Sequence, residues 1–488
     1  MAIPSTSTIL ISSSLLLVFL LSLCSLKKGN ALEGIRSEAT ESGPFQHTHT
    51  VQISSLLPAS VCSPSPKGNY NKRTSLRVVH RHGPCSELSK DKANAPTLSE
   101  ILSHDQSRVK SIQTRLAFNS GKNSLQDSQA VLPAKSGSSL GSGNYIVTVG
   151  LGTPKKDLSL IFDTGSDFTW TQCEPCVRSC YKQQQPTFDP SKSTTYSNIT
   201  CNSALCSQLT TATSASPGCS SSTCVYGIQY GDQSFSVGYF GKEKLTLTAT
   251  EVFNDFLFGC GQNNQGLFGN TAGLLGLGRD QLSFVSQTSK KYGKYFSYCL
   301  PSKSSSTGHL TFGNSGASTS TVKFTPLLMN SQGPSFYFID ITGISVGGRT
   351  LAINKSVFST AGGIIDSGTV ITRLPPAAYG PLRTAFRQLM KNYPLTQPFS
   401  ILDTCYDFSK YTTVTIPTLS FLFNGNVKVD IDPSGILIAG SDSTQVCLAI
   451  AGNSDASDFA IFGNIQQQKL EVVYDVAGGK LGFGPGKC

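Results

Sequence analysis

Histidine and charged residues are scarce in this chain, and their scarcity excludes several kinds of catalytic machinery. Only 14% of the 488 residues are charged, and five of the six histidines lie before residue 110. His309 is the one histidine of the remaining sequence, so a Ser-His-Asp or Cys-His site would have to use it. No HExxH motif or histidine cluster offers a zinc site. We therefore expect no metal and no cofactor, and we expect His309 to be an ordinary surface residue.

The sequence also lacks any run of five or six consecutive lysines and arginines, although its formal net charge is +10. Residues 1–130 hold 14 Lys and Arg against 8 Asp and Glu, so most of the basic excess lies in the first quarter of the chain. A nucleic-acid-binding patch is usually marked by such a run. We therefore expect no nucleic-acid partner.

Glycine, proline, serine and threonine are abundant, and long helical patterns are few. The chain contains 46 Gly and 24 Pro, and 38% of its residues are apolar. This composition predicts a β-rich protein with large cores, and its length exceeds that of one ordinary domain.

Residues 9–26 form an apolar run near the N-terminus, followed by small and polar residues up to Ala31. This pattern predicts a signal peptide over residues 1–31, although no basic residue precedes the apolar run. An uncleaved membrane anchor and an organelle transit peptide are the alternatives. After removal of the signal we expect no membrane association.

The sequence from Leu32 to residue 135 differs in character, being rich in Ser, Lys and His. It contains a strand-like patch, Leu76–His82, and an amphipathic helix predicted from Ser99 to Phe118. A flexible linker is one interpretation. We favour a propeptide whose cationic side chains cover an acidic cleft until acid protonates the carboxylates, with histidines that titrate in that range. We expect its removal within the polar stretch Asp127–Gly143.

Two short motifs have the same form, and each follows an apolar strand. They are Asp163-Thr164-Gly165-Ser166 and Asp366-Ser367-Gly368-Thr369. A carboxylate directly after a buried strand needs hydrogen-bond donors, and the hydroxyls and amides of each loop supply them. If the two loops face each other, both carboxylates cannot ionise near neutral pH, so one stays protonated while the other acts as a base on water. The alternative is that both are ordinary turns.

The paired motifs resemble those of the pepsin-like aspartic proteases. The resemblance implies an all-β, bilobal double β-barrel with the active-site cleft between an N-terminal lobe (136–325) and a C-terminal lobe (326–488). It implies that Asp163 and Asp366 are catalytic and that the other six motif residues form the active-site loops. It also implies that two similar elements, Ala272–Gly278 and Phe459–Asn464, run beside those loops.

The single tryptophan, Trp170, lies seven residues after Asp163. A buried indole N–H needs an acceptor, and in the family this acceptor is a tyrosine of the flap that closes over the substrate. Tyr230 is our candidate because it immediately precedes the turn of a predicted hairpin. Tyr226 is the nearby alternative.

Twelve of the 15 cysteines follow residue 170, an even number that favours disulfides in a secreted chain over a zinc or redox site. Seven of them fall between residues 173 and 224. A Cys-rich insertion at this place is similar to that of the nepenthesin-like plant aspartic proteases. By order alone, the similarity implies the pairs Cys173–Cys176, Cys180–Cys260, Cys201–Cys224, Cys206–Cys219, Cys299–Cys488 and Cys405–Cys447. Cys62 and Cys85 remain in the predicted propeptide.

Together these observations predict a monomeric aspartic endopeptidase that is made as a zymogen, acts on polypeptides at acid pH and is secreted to the apoplast. The vacuole and the plastid are alternative destinations. Asn198 and Asn354 lie in glycosylation sequons. One rival function is an inactive binding protein of the same fold, like plant relatives that inhibit glycosidases. The other is a DNA-associated plastid protease, since some similar plant proteins are described as chloroplast nucleoid DNA-binding proteases.

Overall fold

A computed structural model describes residues 47–65, 74–90, 96–119, 145–230, 233–266, 268–314, 321–440 and 442–488. The predicted signal peptide (1–31) and the predicted cleavage stretch (127–143) lie outside the described residues. The chain divides into a unit of residues 1–46 and a unit of residues 47–488, and every described residue belongs to the second. None of the helices in these ranges is long and apolar enough to cross a membrane.

The described residues form mostly β-structure, with few helices, which confirms the all-β prediction. The strands are β1 (Thr48–Gln52), β2 (Ser75–His80), β3 (Tyr145–Leu151), β4 (Lys156–Asp163), β5 (Trp170–Gln172), β6 (Ser197–Asn198), β7 (Gly218–Ser220), β8 (Thr223–Gln229), β9 (Phe235–Thr248), β10 (Glu251–Gln265), β11 (Gly273–Gly276), β12 (Tyr295–Cys299), β13 (Thr307–Phe312), β14 (Lys323–Pro326), β15 (Tyr337–Ile339), β16 (Ile341–Val346), β17 (Arg349–Thr350), β18 (Gly363–Ile365), β19 (Thr372–Leu374), β20 (Leu395–Thr396), β21 (Cys405–Tyr406), β22 (Thr413–Pro417), β23 (Leu419–Phe423), β24 (Val427–Asp430), β25 (Leu437–Ala439), β26 (Val446–Leu448), β27 (Ile450–Gly452), β28 (Ala460–Phe462), β29 (Leu470–Asp475) and β30 (Lys480–Pro485). The helices are α1 (Leu98–Asn119), α2 (Ala204–Ser207), α3 (Leu209–Thr213), α4 (Phe284–Gln287), α5 (Ser289–Tyr292), α6 (Ser356–Ala361) and α7 (Pro376–Leu389).

The largest sheet has 15 strands and contains most of the first half of the chain. Within it, β3, β4, β11, β5, β10 and β9 follow one another, and a further pairing of β3 with β9 closes them into a barrel. The long strand β9 alternates buried and half-buried residues, as expected when one face of a strand packs on a core. At the opposite end of this sheet, the closing hairpin β29–β30 pairs with β12 through β29 and with the edge strand β14 through β30.

The second half of the chain forms three smaller sheets. Their strand orders are β15-β18-β28-β19-β27, β17-β16-β23-β24 and β20-β21-β26-β25. The helix predicted from Pro375 to Tyr393 is α7, which starts at Pro376 because proline fits the first turn of a helix, and which ends earlier than expected, at Leu389. Buried Ala378, Leu382 and Phe386 give it an inner face.

The described residues between 47 and 119, here called the N-terminal segment, pack into the same fold. β2 lies between β13 and β3 in the largest sheet, and β1 pairs with β22. Helix α1 begins after a capping box in which Thr97 and Glu100 exchange hydrogen bonds of 3.2 and 2.8 Å. The predicted strand and helix of this segment are therefore present, and its described residues do not form a flexible linker.

Seven disulfides join the described cysteines, and four of the implied pairings are wrong. Cys299–Cys488 and Cys405–Cys447 are present as implied. In the Cys-rich insertion the pairs are instead Cys173–Cys260, Cys176–Cys180, Cys201–Cys219 and Cys206–Cys224. The remaining bridge, Cys62–Cys85, lies within the N-terminal segment.

Burial explains the corrected pairings of the insertion. The two bridges Cys173–Cys260 and Cys206–Cys224 join buried cysteines. The four cysteines of the other two bridges are half-buried or exposed. Each bridge therefore joins cysteines at a similar depth. The order of the cysteines along the chain does not tell which of them are buried. The four pairings inferred from that order are therefore wrong.

Candidate active site

Two strands deliver Asp163 and Asp366 to equivalent positions. β4 ends at Asp163 and runs parallel to β11, while β18 ends one residue before Asp366 and runs parallel to β28. The two elements predicted to run beside the loops therefore do so. The amide of Leu277 donates to the carbonyl of Asp163 at 2.9 Å, and the amide of Asp366 donates to the carbonyl of Phe462 at 3.2 Å.

Each carboxylate is buried and receives donors from its own loop. The amide of Gly165 donates to Asp163 Oδ1 at 2.9 Å, and the amide of Gly368 donates to Asp366 Oδ1 at the same distance. Thr369 Oγ1 donates to Asp366 Oδ2 at 2.6 Å. Ser166 is buried in the first loop. The loops thus solvate the carboxylates as the motifs predict.

The two loops bind each other directly. The amide of Thr164 donates to Ser367 Oγ at 3.1 Å, and the amide of Ser367 donates to Thr164 Oγ1 at 2.9 Å. Their approach leaves no room for a side chain at the glycines: a Cβ added at Gly165 would lie 2.7 Å from Asp366 Oδ1. Reciprocal bonds between hydroxyl and amide therefore fix the distance between the two aspartates.

Arg108 of helix α1 lies between the two carboxylates. Its Nη2 donates to Asp163 Oδ1 at 2.7 Å and to Asp366 Oδ1 and Oδ2 at 3.0 and 2.9 Å, and its Nε donates to Asp366 Oδ2 at 3.0 Å. One guanidinium therefore bridges both aspartates. The site is occupied by the chain's own N-terminal segment.

The interactions among Arg108, Asp163 and Asp366 give the two carboxyl groups different pKa values. Burial raises the pKa of Asp163, but the Arg108 charge and the Gly165 amide outweigh it, so the pKa lies below its ordinary value. Burial also raises the pKa of Asp366, and there the neighbouring Asp163 charge adds to it, so the pKa lies above its ordinary value despite Arg108. Burial would lower the pKa of Arg108, but the two carboxylates raise it. The arginine therefore stays charged.

A second polar contact of α1 fixes its position on the fold. Gln113 Nε2 donates to the carbonyl of Phe459, and Gln113 Oε1 accepts from the amide of Phe459, both at 2.8 Å. Val109, Ile112 and Leu116 pack on Phe459 and its neighbours in one buried cluster. Helix α1 therefore binds along the element Phe459–Asn464, which runs beside the second loop.

Trp170 and Tyr230 form the hydrogen bond that the sequence suggested. Trp170 Nε1 donates to Tyr230 Oη at 2.8 Å, and Tyr230 follows β8 at the tip of the β8–β9 hairpin. Tyr226 instead points into the core, where its hydroxyl and Ser236 Oγ lie 2.6 Å apart. Tyr226 is therefore a structural residue, and Tyr230 is the tyrosine at the hairpin tip.

The remaining predicted positions lie away from this site. Asn198 and Asn354 are both exposed. His309 was expected at the surface, but it is buried and its Nε2 lies 2.8 Å from Glu471 Oε2, because β13 is an interior strand of the largest sheet. In the described part of the chain, no group of three or more His, Cys, Asp or Glu side chains could hold a metal ion.

Replacing Tyr230 with Phe should lower kcat/KM about tenfold. The change removes the acceptor of the buried Trp170 N–H. Leaving a buried donor without an acceptor costs about 1–3 kcal/mol of stability, so the hairpin tip is held less firmly. Steady-state hydrolysis of a peptide checks this expectation. Tyr226→Phe is the matched control, because it also loses one buried hydroxyl but should leave kcat/KM within about twofold. Equal losses in the two variants would contradict a special role for Tyr230.

Comparisons with known proteins match both halves of the chain. The family model described as xylanase inhibitor N-terminal matches residues 145–314, and the one described as xylanase inhibitor C-terminal matches residues 336–485. An aspartyl protease family protein of Arabidopsis thaliana is 59% identical over 444 residues, which cover 90% of this chain and 93% of that protein. The chain belongs to the plant pepsin-like aspartyl protease family.

Other members of the aspartyl protease family agree with this assignment. Aspartyl protease AED1 of Arabidopsis thaliana is 54% identical, with 93% of this chain and 95% of that protein covered. Aspartic proteinase nepenthesin-2 of Nepenthes gracilis is 38% identical, with 76% of this chain and 85% of that protein covered. The resemblance to pepsin-like and nepenthesin-like proteases, and with it the expected enzyme class of aspartic-type endopeptidase, is confirmed.

Solved structures agree on the fold of this aspartyl protease family member. The crystal structure of edgp has a TM-score of 0.58 and 21% identity, and it covers 70% of this chain and 91% of its own. Basic 7S globulin from soybean has a TM-score of 0.55 with the same identity and coverage. The predicted pepsin-like fold is thereby confirmed.

Proposed function

We propose that this protein is an endopeptidase made as a zymogen, that Asp163 and Asp366 form its catalytic dyad, and that residues 47–119 belong to its propeptide. The observation that carries the proposal is the pair of buried carboxylates held together by matching loops and bridged by Arg108. A cation in this position excludes water and substrate from the dyad. The bound N-terminal segment therefore corresponds to a latent state.

Once Arg108 leaves, the two carboxylates face each other without a counter-charge. Two carboxyl groups close enough to bind one guanidinium nitrogen share one proton, so one aspartate is ionised and the other is protonated. The ionised aspartate takes a proton from a water held between them, while the protonated one donates to the oxygen of the scissile carbonyl. The dyad and the hairpin tip that carries Tyr230 then stabilise the tetrahedral intermediate. Hydrolysis of a denatured protein at about pH 4, with and without pepstatin, tests this function.

Acid should weaken the N-terminal segment first through histidines of β2 and the turn after it. Burial, and then the charge of Arg81, lower the pKa of His80 to about 4, and the same causes, with His80 added, lower the pKa of His82. A histidine with a depressed pKa in the folded state binds its proton more tightly when released. Its contribution to stability is therefore complete above its ordinary pKa and is lost as pH falls from there to about 4. Of the two partners of Arg108, Asp366, whose pKa is raised, protonates before Asp163, whose pKa is depressed.

Replacing His80 with Gln should therefore lower the pH at which the full chain converts to the processed form. We expect the midpoint to fall by about half a unit or more, because a group that takes up a proton on release has been removed. Conversion is measured by denaturing gel and by activity after incubation at graded pH. The control is His47→Gln, an exposed histidine of the same segment, which should leave the midpoint unchanged. An unchanged midpoint in both variants would contradict a role for His80.

Secretion to the apoplast, with the vacuole or plastid as alternatives, is part of the same proposal. Seven disulfides in the described residues support an oxidising compartment. Exposed Asn198 and Asn354 are accessible to glycosylation. Sensitivity of the protein, isolated from its native tissue, to an N-glycosidase tests this route.

The second candidate function is a binding protein of the inhibitor type. The family models that match the chain are described as xylanase inhibitor halves, which favours this candidate. Against it, both aspartates and the loop donors that solvate them are present. Titration of a xylanase with the purified protein separates the two, because only the binding function predicts inhibition without proteolysis.

A further inference from the structure

Asp105 occupies a second polar site on α1, one helical turn before Arg108. Its carboxylate is fully buried and accepts hydrogen bonds from the amides of Val370 at 2.6 Å and Ile371 at 3.1 Å. It also pairs with Arg373 Nη2 at 2.9 Å. Two amides and one guanidinium therefore surround this carboxylate. All three donors belong to residues 370–373, the segment directly after the second dyad loop.

The donors are built into the protease body and do not depend on α1. Arg373 lies in β19, and its Nη1 donates to the carbonyl of Ile371 at 2.8 Å, which holds the guanidinium in place. Arg373 is 1% exposed, and its Nε is a buried donor without a partner among the described residues. Arg373 Nη2 binds Asp105 and Gln106, and both of these residues belong to α1. When the N-terminal segment leaves, this site therefore lacks an anion.

We propose that in the processed enzyme Val370, Ile371 and Arg373 form a substrate subsite that binds an acidic side chain, Asp or Glu, of the peptide to be cleaved. The proposal rests on the proposed endopeptidase function. In the latent state Asp105 takes the place of that acidic side chain. The donor set of two amides and a planar guanidinium matches a carboxylate and leaves an amide or an apolar group poorly satisfied.

The distance along α1 places this subsite close to the scissile bond. Asp105 precedes Arg108 by three residues, which corresponds to about 4.5 Å along a helix. An extended peptide covers that distance in about one or two residues at about 3.3 Å each. We therefore expect the acidic side chain within about two residues of the dyad.

Other groups near Arg373 compete with a substrate carboxylate. Gln106 Oε1 accepts from Arg373 Nη2 at 3.3 Å, but it leaves with α1. Asp455 and Asp458 line the same cavity as Arg373 and remain. Burial, and the nearby Asp455, raise the pKa of Asp458. If these two carboxylates neutralised Arg373 after processing, the enzyme would show no acidic preference.

The experiment compares peptides that share one sequence and differ at a single position. The full chain is processed at acid pH, and kcat/KM is measured at about pH 5, where a substrate aspartate is ionised. The peptides carry Asp, Asn or Ala at each position within three residues of the scissile bond. We expect one position at which Asp exceeds Asn about tenfold or more.

Arg373→Gln should reduce that Asp-to-Asn ratio to about one. Arg383→Gln is the matched control, because Arg383 of α7 pairs with Asp403 at 2.7 Å, and this variant should leave the ratio unchanged. If Arg373→Gln does not fold, Arg373→Lys keeps the charge without the planar fork and should reduce the ratio severalfold. A ratio near one at every position, or a ratio that survives substitution of Arg373, overturns the proposal.

Failure of the endopeptidase function would be seen separately, as absence of hydrolysis of every peptide. In that case a recognition sequence for an unrelated protease is placed in residues 127–143 and used to cut the full chain, and the cut N-terminal segment is removed at acid pH before the measurement. Binding of fluorescent peptides with Asp or Asn is then measured by anisotropy. Tenfold tighter binding of the Asp peptide supports the subsite without catalysis, and equal binding overturns it.

Discussion

Replacing Asp163 with Asn should lower kcat/KM of the processed protease by at least about 10³-fold at acid pH. The amide has almost the same shape, but it cannot take a proton from water, so the change removes the base or its proton-sharing partner. Asp366→Asn should have the same effect. Because the two groups act as one unit, the double variant should lose little more than either single variant.

The measurement is steady-state hydrolysis of a fluorogenic peptide, with the melting temperature as the check on folding. Asp189→Asn is the matched control, because Asp189 caps a short turn of the Cys-rich insertion and Asn caps equally well. It should retain the wild-type rate. Wild-type activity in Asp163→Asn would show that the dyad does not perform the hydrolysis.

Replacing Arg108 with Met should make the unprocessed chain active. Methionine keeps much of the length of the side chain but leaves two buried carboxylates without their cation, and breaking a buried ion pair costs about 3–5 kcal/mol. The affinity of α1 for the cleft should therefore fall by about 10²-fold or more. Hydrolysis is measured at a pH where the processed wild-type enzyme is active and its full chain is latent.

Lys110→Met is the control for Arg108→Met. Lys110 is an exposed basic residue on the same helix, so its loss changes the charge of α1 without touching the dyad. We expect the Lys110 variant to stay latent. Latency that survives the loss of Arg108 would show that packing of the apolar face of α1 suffices to close the site.

The hydrogen bonds within each dyad loop were predictable because they are encoded locally. Asp163 and Asp366 each receive an amide hydrogen bond from the glycine two residues later, so a four-residue motif contains the donors as well as the acceptor. An apolar strand precedes each motif, so the sequence also shows where each loop begins. The partnership between Trp170 and Tyr230 was predictable for a different reason, since a lone buried indole must find an acceptor.

Arg108 and Asp105 were missed, although the sequence contained a signal for them. Both lie on the face of α1 that also carries Leu102, Val109 and Ile112, so they are charged residues in an apolar stripe. Such residues are expected to meet buried partners of opposite charge. Their partners lie 55 to 268 residues away along the chain, and only the fold specifies which ones they are.

The position of β2 has a consequence for what a proteolytic cut achieves. β2 is hydrogen-bonded on both sides, to β13 and to β3, and the Cys62–Cys85 bridge ties the N-terminal segment only to itself. On the zymogen function proposed above, a molecule cut after α1 becomes an enzyme with a tight, non-covalent inhibitor of its own making. Its specific activity should rise on dilution, because dissociation of that inhibitor depends on concentration and cleavage of the chain does not.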